Sequence, residues 1–191
     1  HPEMPAGVEE GIIRGMYRLK TASAAGQWRV QLLGGGAILR EVEAAAAILE
    51  RDYQVAADVW SLTSVNELQR EGKAVLRWNL LHPQEQPRVP YVTAMLQDAG
   101  GPFVAATDYM KVYADQIREF VPGSYTVLGT DGFGRSDTRR KLREFFEVSR
   151  EYIVIAALKA LADEGRIERA RVSQAIGALG VDPDKSNPLT V

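Results

Sequence analysis

The sequence has 191 residues, of which 46% are hydrophobic, and carries a formal charge of −2. This fits one globular domain of ordinary size and leaves no concentrated basic surface for nucleic acid. With no cysteine there is no disulfide, thiolate nucleophile or cysteine metal site, and no apolar run reaches the ~20 residues needed to cross a bilayer.

Residues 1–26 read as a linker or extension from a preceding domain: Pro2, Pro5 and Gly7 precede Ile12, Ile13, Met16 and Tyr17, apolar residues with no neighbouring element to cover them. The chain opens on His1 and not Met, and is read as a fragment. Residues 27–191 read as one α/β domain. Residues 29–33 form a short aliphatic strand, and Gly34-Gly35-Gly36 turns the chain into a helix over residues 37–51, where Ile38, Val42, Ala45 and Leu49 fall at helical spacing. A second strand spans 55–62 and a short helix 64–71, ending near Gly72. From 73 to 92 the pattern fades, and Pro83, Pro87 and Pro90 predict a long loop or hairpin.

A third strand covers 103–107, with Asp108 placed to cap a helix whose apolar face is Tyr109, Tyr113, Ile117 and Phe120. A fourth strand covers 124–128. Helices then occupy 138–146, 152–163 and 169–179, with Gly165 and Gly180 as stops. Strands alternating with helices predict a three-layer α/β/α sandwich on a mostly parallel sheet of about five strands, one of them possibly antiparallel at an edge.

Few residues point to chemistry. Gly34-Gly35-Gly36 lacks a third fingerprint glycine where Leu39 stands, and Asp58 lies inside its strand and not at the strand end, so a tight turn explains the run better than a dinucleotide site. His82 is the only interior histidine, and no Gly-x-Ser-x-Gly string is present, so neither a triad nor a metal site is read here. Arg139, Arg140, Lys141 and Arg143 are followed by Glu144 and Glu147, the mixture of a solvated helix face.

The turn Thr130 to Arg140 is the remaining candidate, and two readings of it stay open. In one, Ser136 or Asp137 caps the next helix and Phe133, between two glycines, anchors on a neighbouring surface. In the other, the turn is a contact loop for a dimer mate or an active-site mouth, with Arg135 and Arg139 as anion partners. The candidate residues are Asp131, Phe133, Arg135, Ser136 and Arg139, read as interface or anion contacts and not as catalysts.

Several strings carry a family resemblance: Glu9-Glu10-Gly11-Ile12-Ile13-Arg14-Gly15-Met16-Tyr17, Val30-Gln31-Leu32-Leu33-Gly34, Arg77-Trp78-Asn79-Leu80-Leu81-His82-Pro83, Ala106-Thr107-Asp108-Tyr109-Met110-Lys111 and Leu128-Gly129-Thr130-Asp131-Gly132-Phe133-Gly134-Arg135-Ser136. In order, over nearly the whole chain, they resemble the C-terminal domain of the homodimeric bacterial pyruvate dehydrogenases, members of the transketolase-like superfamily. The resemblance implies the transketolase C-terminal fold. It also implies a full-length, cytoplasmic homodimer that decarboxylates pyruvate on thiamine diphosphate with magnesium and acetylates the lipoyl group of dihydrolipoyl acetyltransferase.

The cofactor motif of that superfamily is Gly-Asp-Gly followed by Asn-Asn, whereas here Thr130 precedes Asp131-Gly132 and no Asn-Asn pair exists. The fragment is therefore expected to bind no cofactor and to be inactive alone, serving subunit completion and dimer contact. In the transketolase-like enzymes an equivalent Phe-Gly turn lies near the subunit interface. The alternatives are the matching domain of transketolase or another oxo-acid dehydrogenase, and a free-standing anion- or nucleotide-binding α/β module using the helix N-termini at Gly36 and Ser136.

Overall fold

A computed structural model describes residues 4–22 and 26–191. The parts of the expected 1–26 extension at 1–3 and 23–25 lie outside the described residues. In chain order the elements are α1 (Glu9–Arg14), β1 (Met16–Lys20), β2 (Trp28–Gly35), a 3₁₀ turn (Gly36–Ile38), α2 (Leu39–Tyr53), β3 (Val55–Leu62), α3 (Val65–Leu81) and α4 (Tyr91–Leu96). They continue as β4 (Phe103–Ala106), α5 (Lys111–Asp115), a second 3₁₀ turn (Arg118–Phe120), β5 (Tyr125–Leu128), α6 (Arg139–Phe145), α7 (Arg150–Asp163) and α8 (Arg169–Ala178).

The five strands lie in the order β1-β3-β2-β4-β5, with β1 antiparallel to β3 and every other pairing parallel. β3 is buried along its whole length, the near-continuous apolar run expected of a parallel strand covered on both faces. Because successive side chains point to opposite faces, Leu32 and Leu33 enter different cores. On one face Val30, Leu32, Val59 and Val104 meet α2, α7 and α8. On the other, Leu33, Trp60, Leu62 and Phe103 meet α3, α4 and the segment from Ala114 to Val121. The architecture is the three-layer α/β/α sandwich that the alternating pattern predicts.

Three local expectations change. The sheet takes in β1, from the stretch read as an extension: Met16 is fully buried, while Ile13 stays exposed. Gly15 makes the entry possible, with φ 106° and a carbonyl that accepts from both Thr63 and Ser64. The helix expected to end at Gly72 runs on to Leu81. Its start is capped by Ser64, whose Oγ accepts from the Glu67 amide.

Gly72 is a packing residue and not a stop, since a Cβ there would stand 2.5 Å from Phe120 Cε2. The long loop thereby shrinks. Beyond Leu81, His82 stacks on Trp78 with ring centroids 4.3 Å apart, and the Asn79 side chain pairs with both backbone groups of Arg88. No helix among the described residues is long and apolar enough to cross a membrane.

Candidate functional site

From β2 the chain crosses to β3 on one side and later to β4 on the other, so the carboxyl ends of β2 and β4 flank the point where strand order reverses. Open α/β sheets present ligands and partners there. Three connections meet at this edge: the glycine turn after β2, the Thr107–Met110 segment after β4 and the 129–138 loop after β5.

The glycine turn is already occupied by the chain itself. Asp108 was expected to cap the helix after it, but its Oδ2 accepts from the Ala37 amide at 3.3 Å. Gly36, at φ 59°, leaves room for that carboxylate, which a Cβ would strike. A carboxylate thus stands in front of the turn where a bound anion would sit. This geometry disfavours the free-standing anion-binding alternative at Gly36. At the other proposed N-terminus, Thr138 caps α6 with Oγ1 accepting from the Lys141 amide, where Ser136 or Asp137 was expected. Asp137 accepts instead from the Thr138 amide.

The root of the 129–138 loop is held firmly. The Thr130 amide donates to the Tyr109 carbonyl at 2.8 Å, the Thr130 hydroxyl to the Asp108 carbonyl at 3.0 Å, and Asp131 Oδ1 accepts from the Lys111 amide at 2.8 Å. A Cβ on Gly129 would stand 2.7 Å from both Lys111 N and Tyr109 O, so the two backbones touch as only glycine permits. Of the candidate residues, Asp131 is therefore a half-buried brace at the start of α5.

The tip differs. Phe133 is 78% exposed, Ser136 and Arg139 are exposed, and Arg135 lays its guanidinium over Phe145 at 4.2 Å from the ring centroid. In the segment braced to the loop root, Tyr109, Met110 and Val112 are also exposed. Tyr109 was expected on the buried helix face with Ile117 and Phe120. Those two are buried, but the helix begins only at Lys111, which leaves Tyr109 outside it.

Sequence reasoning missed a buried charge cluster behind this edge. Glu41, in the first turn of α2, accepts from Arg143 Nη1 at 2.7 Å and from Arg150 Nε at 2.9 Å. Burial pushes the Glu41 carboxyl up, but the hydrogen bonds and charge of Arg150, with the charge of Arg143, outweigh it and hold the group below its ordinary value. The partners lie about a hundred residues apart, so no local motif marks them.

Asp58, noted above only as an acid inside its strand, is a buried acceptor for the Ala22 amide, Arg29 and Gln31. Burial raises its carboxyl and those three donors more than offset this, leaving it below the ordinary range. No cluster of three or more possible metal ligands occurs among the described residues.

The family model described as the transketolase-like TK C-terminal domain matches residues 15–149. Among curated proteins, the chain is 58% identical over 189 residues to the pyruvate dehydrogenase E1 component of Pseudomonas aeruginosa, covering 98% of this chain and 21% of that protein. It is 56% identical over 192 residues to the same-named protein of Cupriavidus necator, covering all of this chain and 22% of that one. Against that of Escherichia coli K12 it is 53% identical over 188 residues, covering 98% and 21%.

The chain thus spans about a fifth of the length of the curated relatives it matches. Among solved structures, a Pichia stipitis transketolase complex with sedoheptulose 7-phosphate aligns with TM-score 0.57 at 19% identity, over 86% of this chain and 20% of that one. Transketolase from Leishmania mexicana aligns with TM-score 0.53 at 19% identity, over 81% and 19%. At that identity the likeness is one of fold.

Proposed function

Because the chain belongs to the transketolase-like C-terminal domain family, we propose that it is the C-terminal domain of a pyruvate dehydrogenase E1 component and serves assembly and not the chemical step. The whole protein would be a cytoplasmic homodimer that decarboxylates pyruvate on thiamine diphosphate and reductively acetylates the lipoyl group of dihydrolipoyl acetyltransferase. The residues of this chain do not fit that cofactor. Asp131, the acid of its Asp-Gly pair, is spent on the Lys111 amide, and no carboxylate cluster for magnesium accompanies it among the described residues.

One observation carries the assembly role. Two backbone-braced connections at one edge of the sheet lift Phe133, Tyr109, Met110 and Val112 out of the chain's own core. Large apolar side chains left exposed near one sheet edge fit a partner interface. Phe133 supplies the anchor, and Arg135, Ser136 and Arg139 supply polar contacts around it. The partners in this reading are the rest of the subunit and its dimer mate.

The test is a chimera in which this chain replaces the matching last fifth of the Pseudomonas aeruginosa relative. Pyruvate-dependent acetylation of lipoyl acceptor should persist, and should disappear when the segment is deleted. A chimera that folds and dimerises yet turns over no pyruvate would contradict the assignment. Calorimetry adds a second check: thiamine diphosphate with magnesium should give the isolated chain no saturable heat.

A further inference from the structure

A cleft of about 390 Å³ lies between the root of the 129–138 loop and α6. Its apolar lining is Ile38, Leu142, Phe146 and Val148, of which Leu142 and Phe146 are half-buried and Ile38 and Val148 almost wholly buried. Its rim carries Arg135 and Arg139.

The surrounding cations are committed. Arg140 and Lys141 pair with Glu144, Arg143 and Arg150 with Glu41, and Lys185 with Glu147. Arg139 and Arg135 have no acidic partner among the described residues. Arg135 lies flat on Phe145, a stacking that leaves its edge N–H groups free to donate.

We propose that this cleft binds a small organic carboxylate bearing a hydrocarbon tail, with the head group held by Arg135 and Arg139 and the tail on the Ile38, Leu142, Phe146 and Val148 floor. The volume falls within the range of small-molecule sites. A guanidinium is matched to a carboxylate by its planar fork of donors, and two arginines in the lining of one cleft favour an anion over a neutral head.

Asp108 fixes the direction. Its carboxylate, which accepts from the Ala37 amide, is also part of the lining and repels a negative head placed beside it. The apolar floor offers no partners to sugar hydroxyls, which would be costly to bury unpaired. Phe133 does not line the cleft, but Arg135 and Arg139 belong to both readings, so the proposal requires that the assembly contact leave the cleft mouth open.

The experiment titrates hexanoate, hexanol and acetate separately into the ¹⁵N-labelled chain and follows backbone amide shifts. Hexanoate should shift the Ile38, Thr130, Leu142 and Phe146 amides saturably while leaving those of α3 in place. Hexanol, which keeps the tail, and acetate, which keeps the charge, should each bind far more weakly. Arg139→Gln and Arg135→Gln, both at exposed positions, should each weaken hexanoate by about tenfold and leave the hexanol response unchanged. Failure of hexanoate to shift the cleft amides at millimolar concentration overturns the proposal. So does equal binding of hexanoate by the chain and by the Arg135→Gln, Arg139→Gln double variant.

Discussion

Among single residues, Glu41 carries the most testable consequence. A carboxylate buried between two guanidiniums joins the start of α2 to α6 and α7, and truncating it leaves both cations without their anion. Glu41→Ala should therefore lower stability by about 1–3 kcal/mol, read from urea denaturation at neutral pH. The pH dependence has a definite sign. The folded carboxyl titrates below its ordinary value of 4.5, so its contribution is complete above that value and is lost as the pH falls through the depressed folded value. The chain should lose urea resistance on the acid side of that value, and Glu41→Gln should lose less of it over the same interval. Parallel acid limbs for the two proteins would mean that the triad does not couple to folding. None of this was legible beforehand, because a Glu and two Arg separated by this much sequence look like ordinary solvated charges.

At the scale of elements, Gly72 reverses a rule of helix propensity. In an exposed helix, Gly→Ala gains about 1 kcal/mol. Here the added methyl would drive into the Phe120 ring, so Gly72→Ala is expected to cost about 1–3 kcal/mol, and Phe120→Leu should recover part of that loss in the double variant. Additive effects of the two changes would break the contact argument. The same residue shows why the sequence was readable only in part. Strand β3 lies at the bounds that its apolar run predicts, and the order of strands and helices follows from periodicity. A glycine inside a helix reads as a stop unless the ring packed against it is known, and that ring belongs to another element. Caps fail in the same way: Asp108 has the right residue type and position, yet its carboxylate is claimed by Ala37 across the sheet edge. Strand β1 is visible only through its partner, since five residues of mixed polarity gain their meaning by pairing with β3. Its amides from Met16 to Arg18 should exchange slowly and independently of protein concentration. Exchange that slows only at high concentration would place the strand in an intermolecular contact.

For the whole molecule, family and fold agree, and the proposed function is placed at the edge where the connections after β2, β4 and β5 meet. The candidate residues chosen from the sequence lie on one loop and the first residue of the helix after it, but they do different work: Asp131 braces the root, Phe133 is presented to solvent, and Arg135 and Arg139 line the cleft beside α6. The glycines flanking Phe133 were a usable signal for a protruding tip. The exposed Tyr109, Met110 and Val112 were hidden by the expectation of an earlier helix start. The central claim is that this edge acts through assembly, and Phe133→Ala in the chimera tests it most directly. Sedimentation velocity across a dilution series, with activity measured on the same samples, reads dimer affinity and turnover together. Loss of an interface anchor should weaken the dimer by roughly thirtyfold or more, with activity falling on dilution and returning at high concentration. Unchanged dimer affinity with turnover abolished at every concentration would contradict the account and give this loop a role in the chemical step.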